Sequence, residues 1–209
     1  MNGIRRAGQA TCALVFAGGI ALVIASRVSS ITAPPPAPTP AATFTVDRPA
    51  SPHPTATRSC ASLGGKNRVV VPSLHIAASH RPTSFTDGML DLPHDVHLVA
   101  SLAGRAPGDS GSYLLAGHVD AWNQGRGAFW PLFQVSPRAD VWVSDDHCRV
   151  TRWSVTSLRA YVKADLPASM FATTGPPSLV LVTCGGPVVH GPNGFHYRDN
   201  VVVTAAPTG

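Results

Sequence analysis

Glutamate is missing from all 209 residues, and charged side chains of any kind make up only 13% of them. Every carboxylate is therefore an aspartate. These are scattered along loops and strand ends without an obvious facing pair, which gives no support to paired-carboxylate chemistry of the glycosidase type. The chain has no His-Glu-x-x-His and no Cys-x-x-Cys element, so the usual zinc spacings are absent as well. From residue 67 onward there is no long apolar run at helical spacing, which argues against a bundle or an α/β layer. The formal charge of +5 does not reach the main domain: residues 66–209 carry eleven Lys and Arg against ten Asp. A basic nucleic-acid surface is excluded on that balance.

What the chain does contain divides it unevenly. Its length suits one ordinary domain with a single core. Residues 7–26 read AGQATCALVFAGGIALVIAS without a charge, the length needed to cross a hydrocarbon core as a helix. Arg5 and Arg6 precede it and favour a cytoplasmic N-terminus, residues 1–6, with the remainder exported. We expect an anchor over residues 7–28. A cleaved signal peptide, with Ala25 and Ser26 or Ser29 and Ser30 at the cut, is the alternative and leads to the same compartment. Residues 29–65 are rich in Pro, Ala, Thr and Ser and include Pro34, Pro35 and Pro36; they read as an extended, unstructured spacer. The expectation is a single-pass membrane protein with an extracellular domain over residues 66–209.

Cysteines stand at 12, 60, 148 and 184. Cys12 lies in the apolar segment. Disulfides persist outside the cell, so Cys60 and Cys148 can pair and fasten the spacer to the domain, leaving Cys184 as an odd thiol. Such a thiol is either a small buried hydrophobe or a reactive group.

Within the domain, short apolar runs separated by turn residues predict strands over residues 68–71 continuing to 76, then 96–100, 113–116, 140–144, 149–158, 179–183 and 200–204. Seven or eight strands in this length predict an all-β barrel or sandwich. Residues 164–177 and 185–198 read as two long loops, the length at which loops tend to be functional.

Three residues stand at the ends of these strands. Cys184 follows the apolar run of LVTCGG, and two glycines after it permit close approach by a substrate backbone. His118 ends the run in LLAGHVD, alone among the nine histidines in directly following a buried strand. Arg198, in YRDNVVV, precedes the last strong strand. A thiol, an imidazole and a guanidinium are what thiol acyl transfer needs: a nucleophile, a proton donor for the leaving amine, and a fixed positive donor for the oxyanion.

In this order and at these separations LLAGHVD, LVTCGG and YRDNVVV resemble the signatures of sortases, particularly the actinobacterial class F type, and the likeness spans residues 66–206 with the opening strand RVVVPSLHI. Val180 occupies the first position of the family's Thr-Leu-x-Thr-Cys signature. The resemblance implies an eight-stranded β-barrel with short helical turns, a cysteine transpeptidase acting also as a thiol protease or hydrolase, and no cofactor or metal. It implies Cys184 as nucleophile, His118 as general acid and base, and Arg198 as donor to the oxyanion or substrate carbonyl. The substrates would be secreted proteins bearing a Leu-Pro-x-Thr-Gly-like C-terminal signal, and the acceptor an amine on a peptidoglycan precursor or a pilin.

Leu166, Pro167, Ala168 and Met170, in ADLPASMFATTGPP, offer an apolar wall for the signal or simply pack their loop onto the barrel. Asp120, two residues after His118, either orients the imidazole or caps a turn; with Thr183, beside the thiol, it completes the substrate-facing candidates. Three other functions compete. One is a membrane-tethered module that binds wall peptides without turnover. Another is a metal hydrolase built on His118 and Asp120. The third, a thiol transpeptidase of peptide crosslinks, would call for a Ser-His-Gly-Cys run, which is lacking.

Overall fold

In a computed structural model of the chain the residues described are 39, 40, 42–47, 58–86, 89–121, 123–191 and 194–208. The chain divides into Met1–Thr32 and Ala33–Gly209, and only the second unit contains described residues. The expected anchor therefore lies outside them. Among the described residues no helix is long and apolar enough to cross a membrane.

Among the described residues thirteen strands follow one another: β1 (Phe44–Thr45), β2 (Arg68–Val71), β3 (Ile76–Thr83), β4 (Phe85–Thr86), β5 (Met89–Leu90), β6 (Val99–Leu102), β7 (Ser112–Gly117), β8 (Asp120–Ala121), β9 (Gly125–Arg126), β10 (Asp140–Ser144), β11 (Val150–Val162), β12 (Ser178–Gly191) and β13 (Gly194–Pro207). The order β11-β10-β2-β3-β6-β7-β12-β13 is closed by pairing of β13 with β11, so eight strands form a barrel without a free edge. This decides between barrel and sandwich. The only helices among the described residues are 3-10 segments of three to five residues, among them Trp130–Gln134, Lys163–Asp165 and Ala168–Phe171.

Pleating explains why these sequences suit the barrel, because successive side chains alternate between its faces. Val69, Val71, Tyr113, Leu115, Leu179, Leu181, Val201 and Val203 point inward around Trp153, which is fully buried. Truncating such a tryptophan to alanine costs about 3–5 kcal/mol. The alternate residues Leu114, Ala116, Val180, Val182 and Val202 form a second apolar layer on the outside, covered by Met170, Leu166, Leu90, Leu92 and Leu102. Burial on both faces is why β7 and β12 read as continuous apolar runs.

Two expectations are corrected. Residues 185–198 are no loop: β12 and β13 continue their ladder to Gly191 and Gly194, with one irregularity between Gly185 and Val188. Gly185, Gly186 and Pro187 read as breakers, but a bulge accommodates them without ending the strand. Nor is the spacer wholly unstructured. Phe44 and Thr45 add an antiparallel strand to β11, opposite Leu158 and Ser157, and Phe44 packs against the core. A disulfide joins Cys60 to Cys148 across 88 residues of chain, anchoring the segment before β2 at the turn between β10 and β11.

Candidate active site

The site lies at the rim where β7, β12 and β13 run side by side. β7 and β12 are parallel and in step, with Leu181 beside Leu115 and Val182 beside Ala116. That last pair stands two residues before Cys184 on one strand and two before His118, just past the end of the other. On the other side β13 is antiparallel, pairing Cys184 with Asn200 and Gly185 with Asp199. Arg198 follows on the pleat of Val202 and Asn200. Alternation thus sends Cys184, His118 and Arg198 from the face that carries the outer apolar layer. Cys184 is the free cysteine among the described residues and is half-buried.

His118 is held from two directions. Gly127 lies so near its backbone that a Cβ there would stand 2.3 Å from the His118 carbonyl oxygen, so only glycine lets residues 125–128 close behind the strand. Its Nε2 lies 2.9 Å from the carbonyl oxygen of Pro93. A carbonyl only accepts, so Nε2 carries a proton and the work of accepting or delivering another falls to Nδ1.

Arg198 makes two hydrogen bonds to one carboxylate, Nε to Oδ1 of Asp199 at 2.7 Å and Nη2 to Oδ2 at 2.9 Å. Asp199 is buried while Arg198 remains half exposed. The guanidinium's hydrogen bonds hold the Asp199 carboxyl below its ordinary value, and the same contact raises Arg198 further. The Nη1 hydrogens and the remaining Nη2 hydrogen stay available to another acceptor.

The other candidates separate. Pro167 and Met170 line a cavity of about 350 Å³ on the outer face, together with Val180, Val202 and Tyr161. Met170 is buried and Leu166 packs beside it on the outer layer, so both readings of this loop have a physical basis. Ala168 begins the 3-10 turn Ala168–Phe171. At the end of that turn Phe171 meets Phe85 edge to face at 5.7 Å. Thr183 is 4% exposed and pairs with Val201 of the inner core; its hydroxyl has no partner among the described residues. The side chain thus lies on the inward face of the pleat, opposite the outer apolar layer. Asp120 starts β8 and accepts a hydrogen bond from the Tyr197 hydroxyl at 2.7 Å; among the described residues it forms no ion pair with His118.

Sequence reasoning missed Pro93 and Tyr197; Asp199 is read from the sequence only as a charge that could pair with Arg198, and Gly186 only as one of two glycines that leave room for a substrate backbone. Tyr197 directly precedes Arg198 in YRDN, so adjacency was a signal for it. Pro93, 25 residues from His118 in the stretch between β5 and β6, carried none.

The family model for the sortase domain matches residues 69–208. Among solved structures, the chain is similar to sortase A of Listeria monocytogenes, with 16% identity and a TM-score of 0.52 over 68% of this chain and 86% of that one. It is also similar to sortase C1 of Streptococcus suis, at 14% identity and 0.53 over 69% and 73%. A third is sortase C-1 of Actinomyces oris, at 18% identity and 0.51 over 71% and 80%. None of the curated proteins compared matches the chain. Identities this low speak for the fold, and the family rests on the domain match, which spans nearly the whole barrel: the chain belongs to the sortases.

Proposed function

We propose that this sortase is a cysteine transpeptidase of the class F type that cleaves a Leu-Pro-x-Thr-Gly-like sorting signal and transfers the acyl group to an amine of the cell wall. The observation that carries the reading is the parallel step of β7 and β12, whose last pair, Val182 with Ala116, stands two residues before a free thiol on one strand and an imidazole on the other. His118 Nδ1 takes the Cys184 thiol proton as the sulfur adds to the carbonyl carbon of the signal's threonine, and Arg198 hydrogens stabilise the oxyanion. His118 Nδ1 protonates the departing glycine nitrogen as the C–N bond breaks, leaving a thioester on Cys184. The acceptor amine then attacks, gives its proton to His118, and expels the thiolate. The cavity beside Val180 and Met170 suits the signal's leucine and proline. The acceptor would be a peptidoglycan precursor or a pilin, and residues 7–28 would anchor the enzyme in the membrane with the barrel outside.

The test is to incubate the purified protein with a panel of signal peptides and a small amine. Intact mass should reveal an acyl adduct that Cys184→Ala abolishes, and the peptide should gain a new amide. Peptide binding without cleavage, unchanged by Cys184→Ala, would replace this reading with a binding module.

A further inference from the structure

The strand that bears Cys184 stands between the two that lead to its proposed partners, since β12 separates β7 from β13. Beyond β7, the β8–β9 hairpin is a sheet of its own. Among the described residues no backbone ladder fixes its distance from β13. A side-chain bond ties the two: the Tyr197 hydroxyl on β13 donates to Oδ2 of Asp120 on β8 at 2.7 Å. The bond joins the segment just after His118 to Tyr197, the residue just before Arg198, and Tyr197 pairs with Val188 of β12. A charge on Cys184 bears on the phenol, after burial and the Asp120 bond, in holding its proton more tightly than an ordinary tyrosine's, so the sulfur lies within electrostatic reach of this bond.

We propose that Tyr197 and Asp120 are a positioning pair that holds the His118 segment and the Arg198 strand at a fixed separation around Cys184. The pair touches no reacting atom. Its effect is on geometry, where displacements of about 1 Å can cost up to 100-fold in rate. The inference rests on the acyl-transfer reading only for its kinetic consequence, because the tie itself is a property of the barrel rim.

The experiment compares Tyr197→Phe, Asp120→Ala, their double variant and Asp120→Asn in the purified protein. Signal-peptide transfer and amide hydrogen exchange of residues 118–126 are both measured. Tyr197→Phe and Asp120→Ala should each lower kcat about tenfold with KM within about twofold, and the double variant should be no slower than either, as for residues acting as a unit. Asp120→Asn keeps an oxygen that accepts the phenol hydrogen and should recover most of the rate. Exchange over residues 118–126 should speed up in Tyr197→Phe with or without peptide. Unchanged exchange and unchanged kcat in Tyr197→Phe, additive losses in the double variant, or Asp120→Asn as slow as Asp120→Ala would each overturn the pair. Faster exchange in Tyr197→Phe of a wild type that transfers no peptide would uphold the tie and sink the acyl-transfer reading instead.

Discussion

Gly186 stands directly against Asp199: a Cβ at position 186 would lie 2.3 Å from Oδ2, the oxygen that receives Nη2 of Arg198. Its φ of +76° is in the left-handed region that disfavours any other residue. Asp199 is thus seated by a glycine two residues past the thiol, and Arg198 is seated by Asp199. Gly186→Ala should destabilise the domain by about 1–3 kcal/mol through strain and collision, and should lower peptide transfer at least about tenfold by dislodging the guanidinium. Thermal melts and transfer rates measured together check both parts. A variant that melts lower and keeps its full rate would detach Arg198 from the chemistry.

The disulfide between Cys60 and Cys148 closes a long stretch of chain. Replacing both by serine should cost about 2–5 kcal/mol, read as a fall in melting temperature that a reductant reproduces in the wild type. A chain begun at residue 66, the expected domain start, loses Cys60 and should be destabilised like the double serine variant. A non-reducing peptide map should find Cys184 alkylated and Cys60 and Cys148 protected.

His80 gives the domain a sensitivity to acid. It is 3% exposed, its Nε2 lies 3.0 Å from the carbonyl oxygen of Ser144, and its Nδ1 lies 3.3 Å from Oγ of Ser101. Burial moves its pKa below the ordinary 6.5 despite the opposing hydrogen bond to Ser144. The unfolded chain therefore binds a proton more readily than the folded one, so stability is complete well above 6.5 and is lost as the pH falls through 6.5 toward the folded value. Melting temperatures from pH 8 to 5 should decline in this window, and His80→Gln should flatten the decline while lowering the plateau. An unaltered slope would assign the acid sensitivity to other groups.

Met170 discriminates the two uses of the outer layer. Met170→Ala removes a buried side chain from the loop before β12 and should cost about 2–3 kcal/mol. If the cavity it lines receives the signal's apolar residues, KM for the peptide should rise about fivefold or more with a smaller change in kcat. A stability loss with unaltered KM would leave the loop a purely packing role.

Thr183 is the converse case. Its buried hydroxyl has no partner among the described residues, and such a group costs free energy that an apolar replacement of the same shape recovers. Thr183→Val should raise stability by about 0.5–1.5 kcal/mol and keep the transfer rate. A marked loss of transfer would return the hydroxyl to the substrate side.

The chain by itself determined the class of fold, because period-two alternation and doubly apolar runs such as LLAG and LVLV are local properties that only strands within packed layers satisfy. It also marked Cys184, His118 and Arg198, since each ends or begins such a run. Local pattern could not determine what happens between distant segments. The closure of β13 onto β11, the docking of Phe44 on β11, the bulge that keeps β12 extended past Pro187, and the contacts from Pro93 to His118 and from Tyr197 to Asp120 all join residues brought together only by the barrel. The register of two strands depends on which faces they bury and against what. That is settled by packing the whole core, and it decided which side chains share the rim.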